Sequence, residues 1–150
     1  MGTPTIFVDA DACPVKEEIY RVARRTGCPV QVVANMFMRT PPDVTLIVVD
    51  PGPDIADDWI AARVRPGDIV VTNDIPLADR ALKAGGAALG ATGKMFTLNS
   101  IGAALAQRDL MEHLRSFGAG GGEPKPFSAA DRARFLSALD AAVQKAKRRG

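Results

Sequence analysis

Short apolar runs rich in Val and Ile alternate along this chain with segments whose apolar residues recur at helical spacing. The runs predict strands over 5–8, 30–34, 44–49, 69–72 and 87–89, with a short extended piece near 95–98. The run at 44–49 is apolar on both faces, which is typical of a parallel strand covered by helices on each side. This alternation predicts an α/β fold, a three-layer α/β/α sandwich with a mainly parallel sheet.

Helical patterns fill the intervals between these strands. Pro14 suits the first turn of a helix, and Gly27 suits the cap that ends it. Asp54 is suited to cap a helix over about 55–64. Further helices are predicted over 75–84 and from Asn99 or Ser100 to about Phe117.

A Gly/Pro-rich stretch at 118–127 interrupts this pattern. Ser128 followed by Asp131 resembles a capping box, in which each residue caps the other at the start of a helix, and it predicts a final helix over about 128–147. A chain of 150 residues is about the size of one ordinary domain. We therefore predict a single domain over 1–150, with a core over about 4–117 and the loop and final helix as an appendage.

Composition excludes several classes of protein. The two cysteines, Cys13 and Cys28, lie outside any Cys-x-x-Cys spacing, which argues against a zinc site and for a reducing compartment. No run approaches the ~20 apolar residues of a membrane span. The N-terminus has no basic segment followed by an apolar one, so no signal peptide is predicted. We expect a cytoplasmic protein without a membrane partner.

Charge is distributed unevenly between the two halves of the chain. Residues 1–75 carry 11 acidic and 7 basic side chains, whereas residues 76–150 carry 6 acidic and 12 basic ones. Solvated helix surfaces explain such a difference equally well as a basic surface that holds a polyanion. Nucleic acid, RNA or DNA, is therefore an expected partner class, with the solvated surface as the alternative.

Acidic residues follow several of the predicted strands. Asp9 and Asp11 come after the first strand in the sequence IFVDADACP, and Asp74 follows the fourth strand in VTND. Loops after parallel strands gather at one edge of the sheet, and ligands bind there where the strand order reverses. If the first and fourth strands are neighbours at that reversal, these three carboxylates converge.

Such a cluster needs a cation. Two carboxylates ~5 Å apart repel by roughly 3 kcal/mol at an effective dielectric constant of ~20. Neither VDADA nor VTND contains a Lys or Arg, although Lys16 lies one helical turn away. Oxygen ligands alone favour Mg²⁺ or Mn²⁺ over zinc, and a carboxylate cluster without a Ser–His pair favours metal-activated water that attacks phosphorus.

Other residues at the same predicted edge are assigned weaker roles. Asp54 and Asp57 are explained equally well as helix caps, whereas Asp50 and Asp58 are better explained as solvated side chains. We assign nucleic-acid contacts to Lys16, Arg39 and Lys94, which lie on or near these loops. Supporting roles are assigned to Asn35, Asp54, Thr72 and Asn73.

Several segments together resemble the bacterial YaiI/YqxD family. They are FVDADACPVKEEI, VVAN, GPDIADDWI, GDIVVTNDIPLADRAL, RDLM and GGGEPKPFSAADRARF, and they extend from about residue 5 to residue 140. That family is grouped with PIN-like domains, which are compact parallel α/β/α sandwiches. PIN-like enzymes are typically Mg²⁺ or Mn²⁺ nucleases with acidic residues at the strand ends, often acting on RNA. The resemblance implies a PIN-like domain and a metal-dependent nuclease that acts on RNA in preference to DNA.

By its motifs the resemblance also implies the site residues. Asp9 of VDAD, Asp57 of DIADD and Asp74 of TND would be the catalytic and metal-binding carboxylates, and Asp11 would be an additional one of this family. A fold shared with nucleases is an analogy, however, and does not by itself establish the reaction.

Two rival functions stay open. One is a nucleic-acid-binding protein without enzymatic activity that keeps a metal-binding cleft; its weakness is an aromatic content of 5%, which offers few base-stacking residues. The other is a phosphatase of the haloacid dehalogenase type, whose first strand also ends in Asp-x-Asp. In that family a paired acidic motif follows a downstream lysine, whereas here Asp57 and Asp58 precede Thr72.

Overall fold

The computed structural model describes residues 3–10, 13–116 and 127–149 of the chain. Asp11 and residues 118–126 of the predicted loop lie outside these ranges. The strands are β1 (Ile6–Asp9), β2 (Val30–Ala34), β3 (Val44–Val48), β4 (Ile69–Val71), β5 (Ala87–Leu89) and β6 (Met95–Phe96). The helices are α1 (Lys16–Thr26), α2 (Ile55–Ala61), α3 (Ile75–Lys83), α4 (Leu98–Ser116) and α5 (Ala129–Arg149).

The strands form one sheet in the order β3-β2-β1-β4-β5-β6. Neighbouring strands are parallel except for β6, which pairs antiparallel with β5. The strand order reverses between β1 and β4, where Val8 is in register with Val71. The predicted three-layer α/β/α architecture with a mainly parallel sheet is thereby confirmed, and β1 and β4 are the neighbours on which the carboxylate hypothesis depends.

Each face of the sheet buries its own apolar cluster. On one face, Ile6 and Val8 of β1 pack with side chains of α1 and α5, including Ile19. On the other face, Phe7 packs with residues of α2 and α3, including Leu77. Alternate residues of a strand point to opposite faces, so Asp9 shares the face of Phe7 and of α2 and α3.

The final helix contributes large side chains to the core. Phe135, Leu139 and Val143 of α5 are fully buried in the cluster that also contains Val8. The helix that the sequence sets apart as an appendage therefore covers one face of the sheet. None of the helices in the described parts of the chain is long and apolar enough to cross a membrane.

The predicted capping box at the start of α5 is confirmed. The Ser128 amide donates to Asp131 Oδ2 at 3.0 Å, and the Asp131 amide donates to Ser128 Oγ at 3.1 Å. The backbone hydrogen bond from Ser128 is the main reason that the pKa of Asp131 lies below its usual value. These reciprocal bonds satisfy amide groups that the first turn of a helix leaves unpaired.

Two other predicted helix starts are wrong by about two residues. Helix α1 begins at Lys16 rather than at Pro14, although Gly27 ends it in the predicted left-handed conformation at φ 79°. Helix α4 begins at Leu98, because the Thr97 hydroxyl accepts a hydrogen bond from the Ser100 amide at 3.1 Å. The cap is therefore Thr97, and Ser100 is the residue three positions later that bonds back to it.

Candidate functional site: an acidic cleft at the strand reversal

Asp9 is fixed at the carboxyl end of β1 by the sheet itself. Its backbone is in register with Val33 of β2, and the amide of the next residue, Ala10, donates to the Val33 carbonyl at 3.0 Å. The Asp9 carboxylate accepts a hydrogen bond of 2.9 Å at Oδ2 from the hydroxyl of Thr72, which follows β4. The strand reversal therefore holds Asp9 from both neighbouring strands.

Asp74 is tied to the same hydroxyl. Its backbone amide donates to Thr72 Oγ1 at 3.0 Å, so Thr72 bridges the Asp9 side chain and the Asp74 backbone. Asp74 is the residue before α3, but its carboxylate makes no capping hydrogen bond within the described residues. The side chain is therefore not used to cap the helix, which was the simplest structural role open to it.

Asp57 approaches the other two carboxylates from the first turn of α2. Its pKa is raised to about 7, first because the side chain is partly buried, then by a hydrogen bond to Asp74 and by the negative charges of Asp74, Asp9 and Asp54. A hydrogen bond between two carboxyl groups requires that one of them keeps a proton. The carboxylates at the end of β1, in the first turn of α2 and before α3 therefore act on one another.

Asp54 differs from the helix cap that its position suggests. It stands immediately before α2 and its carbonyl accepts from the Asp58 amide at 2.8 Å, yet within the described part of the chain its side chain makes no capping bond. Its backbone is left-handed at φ 64°, and it is the one described non-glycine residue with positive φ. Asp54 is one of the residues that line the cleft, and its negative charge contributes to the raised pKa of Asp57.

These carboxylates line one cleft of about 320 Å³ at the carboxyl edge of the sheet. Asn35 after β2, Asp50 and Gly52 after β3, and Asn73 after β4 complete its wall. Asn73 also has a structural role, because its Oδ1 accepts a hydrogen bond of 3.0 Å from the amide of Ala91. The predicted set Asp9, Asp57 and Asp74, with the supporting residues Asn35, Asp54 and Asn73, is thus brought together, and Thr72 connects two of its members.

The three basic residues predicted to contact nucleic acid, Lys16, Arg39 and Lys94, lie apart from these carboxylates. The Lys16 ammonium donates to the Cys13 carbonyl at 3.0 Å, and the Lys94 ammonium lies 5.6 Å from the ring centre of Phe96. Arg39 is exposed on the loop between β2 and β3. The cleft wall, as far as the structure describes it, contains none of the three. Their assignment to nucleic acid stays a prediction.

A larger hollow of about 770 Å³ lies at the opposite, amino edge of the sheet. Its acidic residue, Asp68, is used structurally, because Oδ1 accepts from the Thr5 amide and Oδ2 from the Arg65 amide, each at 3.0 Å. Arg63, which also lines it, lies 3.9 Å over the Trp59 ring. These groups already have partners, so the carboxyl edge is the better candidate for chemistry.

The donor atoms of the cleft suit a hard divalent cation, for which carboxylate oxygens are preferred ligands. Among the described residues, however, no group of three or more His, Cys, Asp or Glu is already arranged to hold a metal ion. Without a cation, partial burial and the neighbouring carboxylates favour the protonated form of Asp57 and raise its pKa to about 7. The residues therefore fit Mg²⁺ or Mn²⁺ by chemistry, and Asp11 is outside the described part of the chain.

Sequence reasoning missed two features of this edge. Asp50 is exposed, as the solvated interpretation expects, but it also lines the cleft, which that interpretation does not include. The sequence analysis does not single out Phe37, which is 80% exposed on the loop that begins with Asn35. The strand-end position of Asp50 was a usable signal, whereas nothing in the local sequence distinguishes an exposed Phe from a buried one.

Comparisons with known proteins agree with the resemblance found in the sequence. The model of the uncharacterized YaiI/YqxD family matches residues 7–145. A UPF0178 protein of Caulobacter sp. (strain K31) is 61% identical over 145 residues, which cover 95% of this chain and 96% of the relative. A UPF0178 protein of Sphingopyxis alaskensis is 59% identical over 151 residues, covering 99% and 98% of the two chains. No solved structure matches the chain at a significant level.

Proposed function

This chain belongs to the uncharacterized YaiI/YqxD family, and we propose that it is a nuclease that hydrolyses phosphodiester bonds with Mg²⁺ or Mn²⁺, in RNA in preference to DNA. The observation that carries the proposal is the convergence of Asp9, Asp57 and Asp74 on one cleft at the strand reversal. Partial burial there, followed by the hydrogen bond to Asp74 and the neighbouring negative charges, raises the pKa of Asp57 to about 7. Carboxylates that repel one another in an open cleft form an arrangement that a dication stabilises.

Asp9, Asp57 and Asp74 are the residues that would hold the cation. When bound, Mg²⁺ or Mn²⁺ supplies charge stabilisation and an activated water for attack on a phosphorus atom. Thr72 keeps the Asp9 carboxylate in place through its 2.9 Å hydrogen bond. In the protein without metal, partial burial and the neighbouring charges favour a proton on Asp57 up to about pH 7, and a bound cation would favour its carboxylate form instead.

A nucleic-acid substrate follows from charge as much as from the resemblance. A cleft lined by Asp9, Asp50, Asp54, Asp57 and Asp74 repels a free phosphate ester unless a cation and more distant contacts offset the repulsion. A polymer supplies such contacts on both sides of the scissile phosphate. Arg39, on the loop that leaves this edge after β2, and Lys94, on the loop between β5 and β6, are exposed and are suited to those neighbouring phosphates.

The test is hydrolysis of an end-labelled, unstructured RNA strand by purified protein with Mn²⁺, with Mg²⁺ and with a chelator. We expect metal-dependent cleavage by the natural chain and its loss in Asp74→Asn. Asn is nearly isosteric, so this variant removes one charge and keeps the shape of the side chain. The matched control is Asp79→Asn on the same helix, since Asp79 is paired with Lys83 at 2.9 Å and does not line the cleft.

The outcomes separate the proposal from its rivals. Cleavage that persists in Asp74→Asn would come from a contaminating nuclease or a different site, and it would overturn the proposal. Metal-independent binding of RNA without cleavage would favour the non-enzymatic nucleic-acid-binding protein.

A further inference from the structure

An apolar rim flanks the acidic cleft on the side of β2 and α2. It consists of Met36 and Phe37 after β2 and Ile55 at the start of α2, all of them exposed. Ile55 lies against Gly52, because a Cβ added at that glycine would meet Ile55 Cγ1 at 3.3 Å. The apolar rim therefore adjoins the residues that form the cleft wall.

Phe37 is the most exposed side chain of this rim. It is 80% exposed and Met36 is 68% exposed, whereas Phe7, Phe96 and Phe135 are buried. Folding leaves the Phe37 ring in water although burial of an aromatic side chain is favourable. An exposed aromatic ring beside a candidate site indicates a ligand that covers it.

The loop that carries Phe37 is anchored on both sides of the ring. Asn35, two residues before it, lines the cleft, and Met38, the next residue, packs partly against the core cluster that contains Ile19. Two residues span at most about 7 Å of chain, so Phe37 stays close to the cleft wall. The Phe37 ring is therefore exposed although the chain on either side of it is held in place.

We propose that Phe37 stacks on an unpaired base of a nucleic-acid strand whose phosphate lies in the acidic cleft. The proposal rests on the proposed function and names the substrate more closely as single-stranded nucleic acid, since bases in a duplex have their faces covered by neighbours. Every base offers a π-face to an aromatic ring, so this contact holds a strand without selecting its sequence. An uncharged contact also suits this place, because the nearby carboxylates repel phosphates but leave a base face unaffected.

The charges around Phe37 are compatible with a single nucleic-acid strand as the ligand. Arg39, two residues further on, is exposed, and the described residues provide no ion pair for its guanidinium. A ring for the base and a guanidinium for the phosphate are the two contacts that a single strand uses. A stable protein partner would instead need about 800 Å² of buried surface on each side. Even at roughly 200 Å² for each side chain, the three residues of the rim together present less than that.

The test measures binding with Ca²⁺ present, a hard cation that carboxylate oxygens also bind, so that the negative charge of the cleft is offset. A gel checks that the strand stays intact during the measurement. Fluorescence anisotropy compares a uridine strand of about eight nucleotides with an abasic ribose-phosphate chain of the same length and charge. We expect the natural protein to prefer the base-bearing strand by about tenfold, and we expect Phe37→Ala to lose that preference. The matched control is Leu98→Ala, which removes a 64% exposed apolar side chain at the start of α4 and should keep the preference.

Each other outcome overturns the inference. A natural protein that binds both strands equally, or neither of them, has no base contact to assign. A preference that survives in Phe37→Ala assigns the base contact to another residue. If Phe37→Ala changes the oligomeric state measured by light scattering, the ring belongs to a contact between copies of the chain.

The cleavage and binding experiments together distinguish failure of the proposed function from failure of the stacking assignment. If the base preference depends on Phe37 but Mn²⁺-dependent cleavage is absent, the stacking assignment stands and the nuclease function fails. If cleavage is present and Phe37→Ala cleaves the uridine strand at the natural rate and with the natural KM, the nuclease function stands and the stacking assignment fails.

Discussion

The Thr72 hydroxyl donates a hydrogen bond of 2.9 Å to Asp9 Oδ2 across the β1–β4 boundary and accepts one of 3.0 Å from the Asp74 amide. Thr72 is only 3% exposed, so water does not readily replace either bond. One buried hydroxyl therefore sets the position of a carboxylate and of the chain that carries a second one. This relationship makes Thr72 a positioning residue for the candidate site.

The first prediction is that Thr72→Val destabilises the protein by about 1–3 kcal/mol, because the Asp9 carboxylate and the Asp74 amide each lose a partner in a low-water environment. Thr72→Ser keeps the hydroxyl and should recover most of this loss. Urea unfolding at neutral pH without metal measures both variants. Thr45→Val, on the exposed face of the edge strand β3, serves as the control and should change stability by less than about 0.5 kcal/mol.

The second prediction concerns the turn between β5 and β6, which packs against α5. Gly93 has φ +90°, and a Cβ added there would lie 2.8 Å from the backbone C and O of Arg134. Gly93→Ala should therefore cost roughly 1–3 kcal/mol for the backbone conformation alone, and more if α5 has to move. Thermal or urea unfolding measures the loss.

The control for Gly93→Ala is Gly102→Ala, the same substitution in a different environment. Gly102 lies in α4, and an added Cβ meets no atom of the described residues within 4 Å. Because Ala favours a helix over Gly, Gly102→Ala should stabilise the protein by up to about 1 kcal/mol. Equal effects at the two positions would contradict the close packing of the β5–β6 turn on α5.

Much of the site could be predicted because strand parity and sheet topology are visible in the sequence. The apolar runs give β1 and β4, and the parallel arrangement brings Asp9 and Asp74 to one edge. The motif resemblance added Asp57, which the structure places beside Asp74. These predictions rest on backbone geometry, because successive side chains of a strand point to opposite faces of the sheet and the sequence shows this alternation.

The remaining features depend on tertiary contacts that no local pattern encodes. The sequence does not reveal that the Asp54 backbone is left-handed. It also does not reveal that, within the described residues, the Asp54 side chain makes no capping hydrogen bond at the start of α2. It does not show that Lys16 turns to the Cys13 carbonyl, or that Phe37 stays in water. The Cys13 thiol illustrates the same point: its position near a helix start suggests a low pKa, whereas burial raises it.

The third prediction tests the contribution of α5 to the core. Phe135 is fully buried in the cluster beneath β1 and α1, so Phe135→Ala should cost about 3–5 kcal/mol through lost burial and the cavity that remains. Leu110→Ala removes an exposed side chain from α4 and should change stability by less than about 0.5 kcal/mol. If urea unfolding gives the two variants similar stability, the packing of α5 does not contribute to the core in solution.

The fourth prediction concerns the pH dependence caused by Asp57, whose pKa is raised from 3.8 to about 7. Between those two values the native protein keeps a proton that the unfolded chain has released, so unfolding releases a proton. The free energy of unfolding without metal therefore receives a contribution from Asp57 that is complete below about pH 4 and is lost as the pH rises to about 7.

Asp57→Asn removes this titration and keeps the shape of the side chain. At about pH 5 the variant and the natural protein should be similar in stability, because a protonated carboxyl and an amide both donate to Asp74. At about pH 8 the variant should be more stable by on the order of 1–2 kcal/mol, a value reduced from the full shift because the side chain is partly exposed and screened by solvent.

The adjacent carboxylate provides the control for this experiment. Asp58 is exposed and pairs with Arg80 at 2.6 Å outside the cleft, so Asp58→Asn should shift stability by a small and constant amount across the same pH range. Urea unfolding at about pH 5, 6, 7 and 8 in a chelating buffer gives the three curves. Parallel curves for the natural protein and Asp57→Asn would mean that Asp57 titrates normally, and the carboxylates of the cleft would then not be close enough to act on one another or to need a cation.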